Sequence, residues 1–213
     1  KAKMENEEYG EVVLSPQEVL PKVTKAQLQK ATYRIAQFST SIATSTADRK
    51  HNVRLALRKV NGYRLDPGEV FSFNEAVGPR TAKTGFRPAP VIMSDKSLQN
   101  DYGGGVCQSS STIYNAALRA DLEIVERYHH SFPIGYVPIG LDATVSYGGA
   151  DLKFRNNKDT PIFIRTFSKG DNVYVEIYGE KFPNDGYITC SSTVTSVVPA
   201  PKPKRILDKN GKY

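Results

Sequence analysis

Two things that the sequence lacks exclude whole classes of protein. The chain has only two cysteines, Cys107 and Cys190, among 213 residues, too few for the cysteine-rich ligand sets of structural zinc sites. No run of apolar residues is long enough to span a bilayer, and there is no internal repeat. We therefore expect no metal site, no other cofactor and no membrane-spanning helix.

The sequence also lacks a visible signal peptide, because Lys1 opens a charged stretch rather than a basic segment followed by an apolar core. The chain starts without Met, so we expect any association with a membrane to depend on an anchor or export signal that has been removed.

The charge balance is basic. Lys and Arg number 29 and Asp and Glu number 22, which gives a net charge of +7. Such a charge suits anionic partners, among them cell-wall polymers. The sequence contains no basic helix with base-reading residues and no nucleic-acid motif, so nucleic acid is not an expected partner.

The most informative stretch begins with three consecutive glycines, Gly103–Gly105, two residues before Cys107. Glycines allow a backbone to adopt unusual angles and to come close to a ligand. Apolar residues then recur at helical spacing, at Ile113, Ala116 and Ala117. This pattern predicts a helix with Cys107 at or just before its first turn, where unpaired N–H groups and the helix dipole favour a thiolate.

A buried packing role for Cys107 is the alternative, but a core cysteine needs no preceding glycines, so we favour a reactive thiol. Cys190 lies in a short strand-like run and is interpreted as a packing residue. A disulfide between Cys107 and Cys190 is the other interpretation, if the compartment is oxidising.

The remaining pattern predicts an α+β fold, in which the cysteine-bearing helix packs on a mainly antiparallel sheet. A second, amphipathic helix is expected upstream at 45–60, and a short one at 22–30. Asn74 is a candidate cap for a turn at 75–77, and 94–102 is expected to be a polar loop. Strands are expected at 31–40, 70–73, 91–93, 122–128, 142–147 and 152–155, and a hairpin is expected from 161–167 and 172–178.

Three residues follow one another in the order of a cysteine nucleophile, a histidine base and an acidic orienting group: Cys107, His130 and Asp142. Asp142 has an equally weighted interpretation as a turn cap. His129 competes with His130, since neighbouring strand residues face opposite sides. Gln108 is a candidate oxyanion donor or a solvated first-turn residue.

Several separated motifs, in order, resemble the VanW family over about 31–179. They are Pro67-Gly68-Glu69-Val70-Phe71-Ser72-Phe73-Asn74, Val77-Gly78-Pro79-Arg80-Thr81, Gly103-Gly104-Gly105-Val106-Cys107-Gln108, His130-Ser131, Tyr136-Val137-Pro138 and Asp142-Ala143-Thr144-Val145-Ser146-Tyr147-Gly148. Members of this family are Gram-positive envelope proteins, and some are associated with peptidoglycan L,D-transpeptidation.

The resemblance implies that Cys107 is a nucleophile and His130 its base. Family members often carry another histidine where this chain has Tyr128, and often a proline at His129, so His129 is the less favoured base. Gly104, Gly105, Gln108 and Ser109 are the candidate substrate-binding or oxyanion residues.

The resemblance also implies an extracytoplasmic cysteine transpeptidase that forms 3-3 cross-links between peptidoglycan stem peptides. A non-catalytic peptidoglycan-binding module and a papain-like or transglutaminase-like cysteine peptidase are the alternatives. The expected organisation is the end of a preceding module or linker at 1–30, the catalytic domain at 31–179, and a C-terminal strand with a proline-rich linker at 180–213.

Overall fold

The computed structural model describes residues 24–92, 98–183 and 186–199. These ranges contain four α-helices and a 3₁₀ turn at Ala82–Thr84. The helices are α1 (Lys25–Lys30), α2 (Ala47–Val60), α3 (Phe73–Val77) and α4 (Val106–Arg119).

The strands within these ranges form three antiparallel sheets. The strands are β1 (Tyr33–Ser41), β2 (Tyr63–Leu65), β3 (Val70–Ser72), β4 (Pro88–Ile92), β5 (Leu98–Tyr102), β6 (Glu123–Glu126), β7 (Lys153–Arg155), β8 (Ile162–Lys169) and β9 (Asn172–Gly179). The largest sheet has the order β1-β9-β8-β2, the second has the order β3-β7-β6, and β4 pairs with β5 in a two-stranded ribbon.

Helices α2 and α4 cover the largest sheet and carry its core. Helix α2 begins at its cap Thr46 and packs on β8 through the predicted apolar face, which is buried (Val53, Ala56, Leu57 and Val60). Helix α4 packs on β1 and buries Ile113, Ala116 and Ala117. The predicted α+β class is therefore confirmed, as is the hairpin, which is formed by β8 and β9.

The predicted strand at 142–147 is wrong. Only an isolated bridge between Tyr128 and Thr144 forms there. Asp142, Ala143 and Val145 are buried. Side chains of α4 donate hydrogen bonds to the carbonyl of Ala143 and to that of Leu141, just before the segment. Polar side chains have taken the place of a strand ladder.

Two smaller predictions also need correction. Ser72, not Asn74, caps α3, because the Ser72 hydroxyl accepts from the backbone N–H of Glu75. The expected polar loop at 94–102 contains strand β5, whose polar residues are those of an exposed ribbon. Residues 93–97 otherwise lie outside the described part.

The chain ends contribute less. Helix α1 begins after its cap Thr24, as expected, while 1–23 and 200–213, including the proline-rich stretch, lie outside the described residues. No strand is assigned to 186–199, so the strand expected near Cys190 is absent from that range. In the part of the chain that the structure describes, no helix is both long enough and apolar enough to cross a membrane.

Candidate active site

Cys107 lies in the first turn of α4, one residue after the helix begins. Its side chain is half-buried, and Sγ donates a 3.5 Å hydrogen bond to the carbonyl of Val145. Gly105 is the N-cap, with φ +100° and no side-chain cap. Gly103 O and Gly105 O accept from the amides of Val106 and Gln108, whereas the intervening Cys107 N–H forms no hydrogen bond among the described residues. That amide is a candidate oxyanion donor.

The three glycines before Cys107 allow close approach by other parts of the protein. A Cβ at Gly103 would lie 2.8 Å from Cβ and Cγ of Arg80, and one at Gly105 would lie 2.7 Å from Cγ of Arg49. At Gly104 a Cβ would lie 2.4 Å from the carbonyl oxygen of Ala89. Two arginine stems and a neighbouring strand therefore occupy the space that side chains would need.

His130 is held against Asp142 by two hydrogen bonds. Its backbone N–H and its ring Nδ1 both lie 2.6 Å from Oδ2 of Asp142. Arg127 fixes the carboxylate from the other side, donating from Nη2 to Oδ1 at 2.8 Å and from Nε to the carbonyl of Asp142 at 2.6 Å. With Nδ1 engaged, Nε2 is the nitrogen available to Cys107.

The pKa values of this pair move in opposite directions. Burial is the largest effect on His130 and lowers its pKa, but hydrogen bonds to Cys107 and Asp142 and the charges of both outweigh it, so the pKa is raised. Burial raises the pKa of Asp142, but hydrogen bonds from His130 and the charge of Arg127 hold it below its usual value. Both shifts favour an imidazolium–carboxylate pair.

The buried polar side chains of α4 place this pair beside the thiol. Ser111 Oγ accepts from the backbone N–H of Ala143 at 2.9 Å, and Ser110 Oγ donates to the carbonyl of Ala143 at 2.6 Å. Asn115 Nδ2 donates to the carbonyl of Leu141 at 2.6 Å. The residues on either side of Asp142 are therefore tied to the helix that carries Cys107.

Two guanidinium groups lie within electrostatic range of Cys107. Burial lowers the pKa of both Arg49 and Arg80. At Arg49 the charges of Tyr136 and then Cys107 act in the opposite direction and raise the pKa. At Arg80 the largest raising effect comes from the charge of Cys107. Neither arginine forms a salt bridge with a carboxylate in the described ranges. The Tyr136 ring lies 5.9 Å from the Arg49 guanidinium and 6.4 Å from the His130 ring.

The side chains of Gln108 and Ser109, two of the candidate substrate-binding or oxyanion residues, are buried within the fold. Gln108 is 1% exposed, donates to Ser41 O at 2.8 Å, and accepts from Arg49 Nη1 at 2.7 Å. Ser109 is fully buried and donates to the carbonyl of Val53. Their polar groups are used inside the fold, so neither side chain is a free oxyanion donor.

The two candidate glycines, Gly104 and Gly105, have different roles in the fold. Gly104 O accepts from Asn52, and its N–H donates to Asp101 O at 3.3 Å, so its backbone is also used inside the fold. Gly105 caps α4 and sets the direction in which the first-turn amides point. Its contribution is to the position of Cys107.

The rings of the two other histidines contact backbone carbonyls. His129 is exposed, and its Nδ1 lies 2.8 Å from the carbonyl of His130. His51 Nε2 lies 2.9 Å from the carbonyl of Gly85, a structural contact. Tyr128, the position at which the family resemblance leads us to expect a histidine, is 48% exposed. Both Cys107 and Cys190 are free, so no disulfide joins them.

Comparison with known proteins places this arrangement in a family. The family model described as VanW like protein matches residues 48–178, which include Cys107, His130 and Asp142. The chain belongs to the VanW family.

Two curated relatives extend the comparison. The chain is 40% identical over 167 residues to "Uncharacterized protein YoaR" of Bacillus subtilis, covering 78% of this chain and 55% of that protein. It is 29% identical over 151 residues to "Vancomycin B-type resistance protein VanW" of Enterococcus faecalis, covering 68% and 54%. The chain thus spans about half the length of these relatives. No solved structure matches significantly.

Sequence reasoning missed several residues of this VanW site. Arg127, just after β6, and Arg49, in α2, reach the site. The sequence around these two positions contains no motif that predicts it. Arg80 and Tyr136 stand within the family motifs, and that was the available signal, although nothing in the sequence says that they approach Cys107.

Proposed function

We propose that this VanW-family protein is a cell-wall L,D-transpeptidase that works through a Cys107 thioester. The observation that carries the proposal is that His130, whose Nδ1 lies 2.6 Å from the Asp142 carboxylate, also has its pKa raised by its interaction with Cys107. Nucleophile, base and orienting acid in this order are the arrangement used for acyl transfer by cysteine and serine enzymes.

The reaction divides into two half-reactions. Cys107 Sγ, as a thiolate, attacks the carbonyl that precedes the terminal D-alanine of a donor stem peptide, and the Cys107 N–H donates to the oxyanion that forms. The intermediate then expels D-alanine, whose amine takes a proton from the His130 imidazolium. A thioester remains on Cys107.

The amine of a second stem peptide then attacks the thioester. His130 accepts the proton of that amine, an amide bond forms, and the Cys107 thiolate leaves. The product is a 3-3 cross-link. If water attacks instead, the products are a trimmed stem peptide and the free enzyme, which is carboxypeptidase activity.

Family membership supports work in the cell envelope, on the extracytoplasmic side. The printed name of the Enterococcus relative associates that protein with vancomycin resistance, and this is consistent with a wall-directed role. Peptidoglycan stem peptides are the proposed partners, and the net charge of +7 would also favour contact with anionic wall polymers.

The test uses purified muropeptides and mass spectrometry. The wild-type protein and the matched control Cys190→Ser should release D-alanine from tetrapeptides and form cross-linked dimers. Cys107→Ala should do neither while remaining folded. Folded wild-type protein that neither trims nor cross-links would exclude the proposal, and trimming without any cross-link would favour a cysteine peptidase.

A wall-binding module makes a different prediction from the same variants. Cys107→Ala would then keep full peptidoglycan binding and full function in cells. Loss of cellular function in a folded Cys107→Ala protein that still binds peptidoglycan would exclude that alternative.

A further inference from the structure

Arg80 carries a positive charge near Cys107 and has no direct carboxylate partner among the residues that the structure describes. Its Nη2 donates to Asn74 Oδ1 at 2.7 Å, while Nη1 is buried and has no hydrogen-bond partner in the same ranges. Asp151 attracts it electrostatically, but the oxygens of Asp151 accept from the Ser72 hydroxyl and from two backbone N–H groups. A buried donor of this kind is costly unless a ligand pairs with it.

The position of Arg80 is set by the backbone next to the nucleophile. Its stem packs on Gly103, where even a methyl group would clash at 2.8 Å. Its guanidinium lies 5.6 Å from the ring centres of Phe73 and Tyr147. Tyr147 is 57% exposed, so its ring can turn away from the guanidinium without leaving a buried contact.

Arg49 differs in how its guanidinium is used. Its Nη1 donates to Ser45 Oγ at 2.6 Å and to Gln108 Oε1 at 2.7 Å, which ties α2 to the start of α4. Arg49 therefore adds positive charge near Cys107 but has committed hydrogen bonds. Of the two arginines, Arg80 is the one with a donor that is buried and unpaired among the described residues.

We propose that Arg80 binds a substrate carboxylate beside the carbonyl that Cys107 attacks. Arginine presents paired N–H donors that match the two oxygens of a carboxylate. This assignment rests on the proposed function: the carboxylate is the free C-terminal carboxylate of the donor stem peptide. The carbon of that carboxylate lies only three covalent bonds from the scissile carbonyl carbon. Arg80 thus selects stems that end at the residue to be released.

The first test needs no peptide. Iodoacetate and iodoacetamide both alkylate a thiolate, but only iodoacetate carries a carboxylate. The ratio of their rates at Cys107 therefore reports anion binding and is independent of how much thiolate is present. The measurements use the full chain with Cys190→Ser, so that a single thiol reacts, and intact mass identifies the product.

Arg80→Gln should lower the iodoacetate-to-iodoacetamide rate ratio by about tenfold, the size of one charge-assisted hydrogen bond. Arg80→Lys should lower it less, because the charge remains while the paired donors are lost. Arg64→Gln is the matched control, since Arg64 pairs with Asp66 at an exposed position, and should leave the ratio unchanged. An unchanged ratio in Arg80→Gln, with the iodoacetamide rate intact, would overturn the proposal.

The second test compares donor tetrapeptides that end in a carboxylate or an amide. Wild type should prefer the carboxylate through a lower KM, and Arg80→Gln should lose that preference. Equal use of both donors by the wild type would overturn the assignment to the terminal carboxylate. If the protein does not act on stem peptides, the proposed function fails, and the alkylation ratio still decides whether Arg80 binds anions at the thiol.

Discussion

Replacing Asp142 by asparagine tests the base arrangement most directly. Asp142 accepts from the backbone N–H and ring of His130, both at 2.6 Å, and from Arg127 at 2.8 Å. Asparagine keeps the size of the side chain, but its amide group offers N–H donors where a carboxylate oxygen accepts. One of the three donors must then face another donor, and the Arg127 charge loses its partner.

The expected magnitude follows from the burial of the pair. The side chain of Asp142 is 8% exposed and that of Arg127 is 21% exposed, so solvent replaces little of what is lost. The variant loses a charge-assisted hydrogen bond and also brings two hydrogen-bond donors against each other. Together these changes should lower the free energy of unfolding by about 2–4 kcal/mol. The rate of thioester formation should fall by about 10³-fold, because the ring is no longer held in the productive tautomer.

Asp48→Asn is the matched control. Asp48 pairs with Arg87 at 3.1 Å, and both side chains are about half exposed, so its loss should cost no more than about 1 kcal/mol. Urea unfolding gives the stability of each variant, and tetrapeptide turnover followed by mass spectrometry gives the rate. A folded Asp142→Asn protein with wild-type turnover would refute the orienting role, and a stability loss no larger than that of Asp48→Asn would refute the account of the ion pair.

Three further predictions concern stability. Gly104→Ala should lower the free energy of unfolding by about 3 kcal/mol, because the new Cβ would lie 2.4 Å from the carbonyl oxygen of Ala89. At the control position Gly68, φ is +79° and the space around it is open, so Gly68→Ala should lower it by only about 1–2 kcal/mol. Equal losses of stability for the two variants in urea unfolding would contradict this prediction. The pKa of His130 is raised from 6.5, so its contribution to stability should be complete below pH 6.5 and be lost as pH rises through the folded-state value. The pKa of Asp142 is lowered from 3.8, so its contribution should be present above pH 3.8 and be lost as pH falls through the folded-state value. Unfolding curves from pH 3 to 9 that are the same for wild type and His130→Gln would contradict the histidine prediction.

The elements that the sequence predicts best are those with strong periodicity. Helix α2 and the β8–β9 hairpin have regular apolar patterns, and α4 shows the helical spacing of Ile113 and Ala116. The order of Cys107, His130 and Asp142 was also readable, because each residue type is uncommon or chemically distinctive in its place.

The errors arise where polar side chains replace backbone pairing. The segment at 142–147 has the composition of a strand, but Ser110, Ser111 and Asn115 bond to its backbone from another element. Such pairing depends on residues about 30 positions away and leaves no local pattern. Gln108 was misjudged for the same reason, since only the fold shows that β1 and Arg49 use its amide.

The glycines illustrate a different limit. Their presence before Cys107 was taken to mean close approach to a ligand, whereas the space beside them is filled by other parts of the protein. The structure shows that Gly103 receives the stem of Arg80 and Gly105 that of Arg49. The two positive charges near the nucleophile therefore depend on residues that have no side chain.

This dependence links the stability of the site to its electrostatics. Any side chain at Gly103 or Gly105 would have to displace an arginine stem. The φ angles at these positions are +88° and +100°, so backbone strain would add to the steric clash. Moving either stem would also move its guanidinium away from Cys107. Ser111 in α4 holds the segment that carries Asp142, through the backbone N–H of Ala143. The thiol is thus positioned by the start of α4, while the two arginines and the partner of the histidine base are held by contacts to residues within four positions of Cys107.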